Sequence, residues 1–382
     1  MEQLSKVQAC LLLNALPKIG PVTYRKLCSH FHNDPRLIFE ASQEVLQNVS
    51  ELSAATREII LHYDRYFSLE EEWKKMQQQG ILFFTSDDDL YPPLLREIYD
   101  PPIGLYSRGH WVATDACIAI IGSRQATPYG LKVAHQLAYE LAQKGYTIVS
   151  GMAQGIDAAA HEGALDAKGS TIAVLGTGVD VIYPRQHSKL YQRIIQAPAS
   201  AVLSEFSLGC SAEKHHFPMR NRIISGLCQA IIIVETTCHG GSMITARMAA
   251  EQGRQVFAIP GRIDHPTSQG CLELIRDGAT LLCKVEDIFE ELPFLRGKHF
   301  LSDAMASPNA FPKTTRAPVT ELLKTELEKT LYDLIFQHEK LTIEDIFQKL
   351  EHHPQPIISS LQMLELQQII SKSPSGHYEC LA

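Results

Sequence analysis

The chain of 382 residues has no Cys-x-x-Cys pair, no Gly-x-x-x-x-Gly-Lys loop and no strict Gly-x-Gly-x-x-Gly turn. Each absence excludes a class of protein. The nine cysteines are scattered and odd in number, which gives neither a disulfide framework nor the close Cys/His spacing of a structural zinc site. They read as reduced core thiols, and no metal or other cofactor is expected. Without the phosphate-loop and dinucleotide fingerprints, a P-loop ATPase and a dinucleotide enzyme are both disfavoured. No apolar run reaches the length of a membrane span, and the first residues lack a secretory n-region and cleavage site, so a cytoplasmic protein with no membrane partner is expected. Positive charge is scarce too: 35 Lys and Arg stand against 43 Asp and Glu, a formal net charge of −8. That argues against a surface coated for nucleic acid, though not against a focused basic groove.

Hydrophobic residues make up 45% of the chain, enough for a substantial soluble core, and the length implies two or three domains. Residues 1–66 read as a small helical domain. An apolar stretch from Leu11 to Leu16 is broken by Pro17-Lys18-Ile19-Gly20-Pro21, and a helix follows from Val22 to Phe31. Such a turn is either a helix-hairpin-helix element, whose amides hold a phosphate, or a corner that only packs. Asp87 to Pro93 and Asp100-Pro101-Pro102 have linker chemistry, because proline forbids regular helix there.

From Cys117 the rhythm changes. Apolar runs at Cys117 to Ile121, Tyr146 to Val149, Thr171 to Leu175, Ala201 to Leu203, Ala230 to Val234, Val256 to Ile259 and Thr280 to Leu282 predict strands. Helical stretches separate them: Tyr129 to Lys144, Asp157 to Ala167, His187 to Ile195, Met243 to Gln252 and Gly270 to Arg276. The alternation predicts an α/β fold with a doubly wound, mostly parallel sheet, linker and core together spanning 67–295. Solidly apolar strands are buried on both faces, and ligands bind at their carboxyl ends. Residues 296–318, with Pro308, Pro312 and Pro318, read as a flexible linker. In 319–382, helices over Glu321 to Gln337, from Thr342 and over Gln355 to Leu366, then a hairpin from Ile369, predict a winged helix. That tail holds ten acids and five lysines, so it suits a protein partner better than a DNA duplex.

The chemistry gathers at the strand ends. Gly122-Ser123-Arg124 follows the first strand of the alternating region and brings backbone and guanidinium to a helix start, a phosphate-binding arrangement, with a surface salt bridge as the competing role of Arg124. Gly240-Gly241-Ser242 opens another helix with glycines and a hydroxyl, a second anion site. Asp157 and His161 lie one helical turn apart; they form either an acid–base pair or a cap beside a hydrogen-bonded core histidine. The densest group is Lys214, Phe217, Arg220, Asn221 and Arg222. Cations beside an aromatic at a loop-to-helix entry suit phosphates and bases. Phe217 is either a stacking face or buried under the loop. Arg220 and Arg222 cannot face the same way on a helix, so one is expected on phosphate and the other on an acid in the core.

These segments carry a resemblance. Ile121-Gly122-Ser123-Arg124, the run Ser150 to His161, the run Ala173 to Pro184, Ser204-Glu205-Phe206, the run Phe217 to Gly226 and Pro260-Gly261 together resemble the DNA-processing protein A (DprA/Smf) family, in order from about Leu90 to Glu291. The flanks resemble a sterile-alpha-motif or hairpin-like helical domain and a winged helix. The resemblance implies an extended Rossmann-like core that binds single-stranded DNA without cutting it, and a homodimer built through that core. It implies protection of incoming strands and loading of the RecA recombinase during natural transformation, with displacement of single-strand-binding protein. The implied pocket is Gly122, Ser123, Arg124, Lys214, Phe217, Arg220 and Asn221. His239 stands where many members have arginine, and Leu272 where members commonly have asparagine. The competing reading, from the glycine–hydroxyl loop and Glu235, is a nucleotide-processing hydrolase or nucleotide sensor of the phosphoribohydrolase type; the chain lacks most of that group's Gly-Gly-x-Gly-Thr-x-x-Glu run.

Overall fold

The computed structural model describes residues 4–49, 52–296, 326–338, 341–350, 370–372 and 377–380, with positions 357, 360, 361 and 364. Packing divides the chain into two units, Met1–Ala304 and Met305–Ala382.

The first unit opens with helices α1 (Lys6–Ala15), α2 (Pro21–His30), α3 (Arg36–Glu40), α4 (Gln43–Gln47), α5 (Ala54–Leu61) and α6 (Leu69–Gln79). Local chemistry sets their ends. The Ser5 hydroxyl accepts from Gln8 N–H while the Gln8 side chain accepts from Ser5 N–H, and Gly80 terminates α6 at φ 63°. Leu16 and Ile19, on either side of the Pro17-Lys18 turn, are buried, so this corner packs. Leu11, Leu13 and Leu27 share one core with Met152, Tyr191 and Val202 of the α/β region. The helices of 1–66 therefore complete the sheet's hydrophobic cover.

Next come β1 (Ile81–Thr85), α7 (Pro93–Arg96), β2 (Gly104–Gly109), β3 (Cys117–Ile121), α8 (Pro128–Gln143), β4 (Thr147–Ser150), α9 (Ile156–Asp166), β5 (Thr171–Val174), α10 (Ser188–Gln196), β6 (Ala201–Ser204) and α11 (His216–Leu227). The unit closes with β7 (Ala230–Ile233), α12 (Gly241–Glu251), β8 (Gln255–Ala258), α13 (Pro266–Arg276), β9 (Thr280–Leu281), α14 (Val285–Glu291) and α15 (Pro293–Arg296). The strands form one nine-stranded sheet in the order β1-β2-β6-β5-β4-β3-β7-β8-β9. From β6 through β9 every pair is parallel; β1–β2 and β2–β6 are antiparallel.

Every strand and helix expected between Cys117 and Leu282 is present, with ends displaced by a few residues. β1 and β2 are an addition. Sequence periodicity leaves the proline-rich stretch as linker, but the short run Ile81-Leu82-Phe83-Phe84 and the segment from Gly104 pair on either side of it. Inside, the Tyr91 hydroxyl donates to Pro102 O (2.8 Å) and the Trp111 indole to Leu90 O (2.8 Å), so an irregular segment is folded without being helical.

In the second unit the Thr342 side chain caps helix Ile343–Lys349, accepting from Asp345 N–H, and helix Glu326–His338 precedes it. Strands Leu341–Thr342, Ile370–Lys372 and His377–Cys380 make an antiparallel sheet. Ile357, Leu361 and Leu364 are buried with Leu331, Ile335 and Ile346. Apart from Arg296, the linker expected over 296–318 lies outside the described residues, as does much of the stretch expected as the third helix.

A buried carboxylate ties the N-terminal helices to the sheet. Glu72 Oε1 accepts from the Tyr106 hydroxyl (2.9 Å) and from Leu208 N–H (2.8 Å). Burial raises its pKa, opposed by those two donors. A carboxyl that is harder to ionise when folded costs stability above its folded pKa. The cost is relieved as pH falls from there towards the unfolded value of about 4.3. Glu72→Gln keeps the accepting oxygen and removes the charge. We expect it to raise the urea midpoint at pH 8, with the gap to wild type closing as pH falls towards 4; a constant gap would show that Glu72 does not titrate in this window.

Candidate nucleic-acid interface

The chain runs β3, β4, β5, β6 to one side, then returns to lay β7, β8 and β9 on the other. The crevice at the carboxyl ends of β3 and β7 is the topological switch point, where open α/β sheets bind ligands. Ser123 N–H donates to Glu235 O (2.7 Å), fastening the Gly122-Ser123-Arg124 turn to the end of β7.

A groove with a volume of about 780 Å³ opens here. Gly122, Ser123, Arg124, Lys214, Phe217, Arg220, Asn221, Gly241 and Ser242 all line it. Residues from three separated stretches of sequence thus meet in one place. Arg124 is exposed, and its Cζ lies 5.1 Å from the centroid of the half-buried Phe217 ring. Lys214 is exposed in the loop before α11. Ser242 is buried and donates to the Thr236 hydroxyl (2.7 Å), holding the start of α12 at the groove. A side cavity of about 410 Å³ shares Arg124, Ala153, Tyr183, Phe217 and Arg220 with the groove.

Arg220 is 4% exposed and donates Nη1 to Val174 O (3.0 Å). It fits because residue 151 is glycine: a Cβ there would lie 1.5 Å from Nη1. Burial lowers its pKa to about 10, with Asp157 opposing the fall, so the guanidinium stays charged at neutral pH. Its Nε has no partner. Asp157 Oδ2 accepts from Gly151 N–H (3.1 Å) and Ala153 N–H (3.3 Å), and burial raises its pKa against the pull of Arg220.

Arg222, expected among the DNA contacts, lies elsewhere. Two residues along a helix rotate a side chain by about 200°, so α11 turns Arg222 away from Arg220. Its Nη2 donates to the buried Glu205 carboxylate and its Nε lies 3.3 Å from Asp100. Arg222 is therefore the arginine that pairs with an acid in the core, and it leaves the set of groove residues.

Asp157 and His161 do not form an acid–base pair. His161 is fully buried, its Nδ1 lies 2.7 Å from the Thr171 hydroxyl, and burial lowers its pKa to about 3, which keeps the ring neutral. Glu235 turns from the groove to the start of α8. It accepts from Thr127 N–H (2.8 Å) and the Thr127 hydroxyl (2.5 Å), a carboxylate placed where the helix dipole favours it. No sequence signal joins Thr127 to a residue 108 positions away. His239 is exposed but lies outside the groove lining. Glu213, His215 and His216 offer ligand atoms within 4.8 Å of one another, but His216 stacks on Phe206 (4.1 Å) with Nδ1 3.2 Å from Gly176 O, a contact that fixes the loop.

The sequence model of the DNA recombination-mediator protein A family matches residues 82–293, more than half the chain and the whole groove. The chain belongs to this family. Protein Smf of Escherichia coli K12 is 36% identical over 314 residues, spanning 81% of this chain and 80% of that protein. DNA processing protein DprA of Streptococcus pneumoniae R6 is 39% identical over 251 residues, 65% of this chain and 88% of that protein. The X-ray structure of DprA from S. pneumoniae superimposes with a TM-score of 0.63 and 33% identity, covering 76% of this chain and 98% of that one. For this recombination-mediator family member, as the sequence predicts, the α/β architecture is the Rossmann-like one.

The core arginine of α11 and the exposed arginine of the groove should separate experimentally. Arg222→Ala leaves the Glu205 carboxylate buried without its cation, a loss of about 3–5 kcal/mol in unfolding free energy. Arg124→Ala removes an exposed side chain and should change stability by no more than about 0.5 kcal/mol. Urea unfolding of both variants checks this; equal effects would dissolve the division of roles.

Proposed function

We propose that the groove binds single-stranded DNA without cleaving it, and that the protein acts as a recombination mediator by holding strands for a recombinase. One observation carries the reading. Arg124, Lys214 and the charged Arg220 line one groove beside Phe217, in a protein whose net charge is −8. Phosphates supply affinity, and the aromatic ring favours unpaired bases, worth about 1–3 kcal/mol per stacked base. Membership of the recombination-mediator family and the names of the DNA-processing relatives support the same reading.

The acid–base groups around the groove support a non-catalytic role. Both oxygens of Glu235 engage Thr127, Asp157 holds the Gly151 turn, and His161 sits against the sheet. A hydrolase of the phosphoribohydrolase type needs a carboxylate turned to its substrate, and Glu235 is turned to α8. RecA is the proposed recipient of the strand, with displacement of single-strand-binding protein and a homodimer through the core that links two grooves. The acidic tail, proposed as a winged helix, suits a protein contact.

Fluorescence anisotropy with labelled oligo-dT and a matching duplex tests the core of this reading. Wild type should prefer the single strand, and binding should weaken steeply with salt. The Arg124→Ala/Lys214→Ala/Phe217→Ala variant should lose most of the affinity. Its salt slope should be shallower by roughly 1.4, at about 0.7 per phosphate contact on single strands. Folded wild type that binds neither strand would sink the proposal.

A further inference from the structure

We propose that Glu213, His215 and His216 bind one zinc ion, and that the metal clips the loop that delivers Lys214 and Phe217 to the groove. The site is read from its donor atoms alone; its bearing on DNA rests on the single-strand reading.

The sequence lacks the Cys/His spacing of a structural zinc site, and here a tight turn supplies what spacing does not. His216 N–H donates to Glu213 O (3.1 Å), closing a turn that brings residues 213 and 216 together. One ligand atom from each of Glu213, His215 and His216 lies within 4.8 Å of the other two, and no other such group occurs among the described residues. His215 Nδ1 and Glu213 Oε2 are 3.4 Å apart. A tetrahedral zinc ion with bonds of about 2.1 Å sets its ligand atoms at about that separation.

His216 is the fixed member of the set. It is buried, its ring stacks on Phe206, and Nδ1 lies 3.2 Å from Gly176 O. A carbonyl oxygen only accepts, so in the neutral ring Nδ1 carries the hydrogen and Nε2 keeps the lone pair. Metal-ligating histidines are almost always oriented this way, with the second nitrogen donating to a carbonyl or carboxylate. The Cys210 thiol sits 4.0 Å from Nδ1, the nitrogen already engaged, and is left out of the set. Glu213 and His215 are exposed, so both can close on an ion without disturbing the core. Two imidazoles and one carboxylate favour zinc over magnesium or calcium, which take oxygen ligands. Three protein ligands leave a fourth position for water.

The location gives the ion its consequence. Lys214 stands between two of the ligands and lines the groove, while Glu213 and His215 do not. Without the ion, the side chains of Glu213 and His215 meet as an exposed pair, which stabilises the loop little. Zinc on all three residues fixes the backbone on both sides of Lys214 and immediately before Phe217, so less freedom is lost when a strand binds. It also adds positive charge beside the groove.

Isothermal titration of the chelator-treated full chain with zinc tests the site, with Glu213→Gln/His215→Ala as the comparison. His216 is kept because it fixes the loop. Wild type should bind one zinc ion per chain that the variant binds more than about 100-fold more weakly, since loss of an outer-shell partner alone costs about 10–100-fold. Magnesium should not compete, and zinc should raise the melting temperature of wild type more than that of the variant. Equal zinc stoichiometry and affinity in the two proteins would overturn the site. Anisotropy with oligo-dT then tests the clip. Zinc should tighten strand binding by wild type and leave the variant at the affinity it shares with metal-free wild type. Zinc bound at the site with strand affinity unchanged would overturn the clip. Absence of strand binding by wild type would remove the single-strand reading, and the clip with it, while the titration still decides the zinc site.

Discussion

A guanidinium held out of water at the carboxyl ends of β4 and β5 constrains the groove around it. Arg220 stays charged although buried, and such a charge persists only where dipoles and nearby acids compensate its lost hydration. Val174 O supplies a dipole, and Asp157 the opposing charge. Asp157 is in turn fixed by two backbone N–H groups of the Gly151 turn, so turn, acid and arginine form one unit. Gly151 belongs to it for a steric reason, since any side chain there would occupy the space of the guanidinium. The arginine that this unit holds lines the groove.

The neighbouring arginine is paired with carboxylates instead. Arg222 has Glu205 and Asp100, and it serves as a buried link between α11, the loop after β6 and the proline-rich segment before β2. One helix thus carries two cations with opposite fates, decided by which carboxylates the fold brings to each side. Composition cannot separate them, because both are arginines of the same short stretch.

That limit marks what was legible in the sequence. The parallel strands are visible because burial on both faces makes them continuously apolar, and the groove is visible because glycines and cations fall at strand ends. Helical phase says that Arg220 and Arg222 point apart but not which one points inward, since Glu205 lies 17 positions away and Asp100 in another segment. Glu235 is the same case: a carboxylate after a central strand looks like a candidate for chemistry until Thr127 is seen to occupy it. β1 and β2 were hidden for a different reason. Their pairing is with each other and with β6, across a proline-rich stretch whose local chemistry argues only against helix.

The added N-terminal structure acts on the groove through the loop that delivers Lys214 and Phe217. This loop leaves β6 at Glu205 and is held at successive points by the rest of the molecule. Asn14 of α1 donates to Glu205 O (2.7 Å), Glu72 of α6 accepts from Leu208 N–H, and Asp180 accepts from Gly209 N–H (2.8 Å). A loop restrained at three positions gives up much of its conformational freedom on folding instead of on binding. The N-terminal helices therefore do more than cover one side of the sheet. They place the cationic, aromatic entry to α11 before a strand arrives, and the fusion of helices and sheet in one core is the physical basis of that placement.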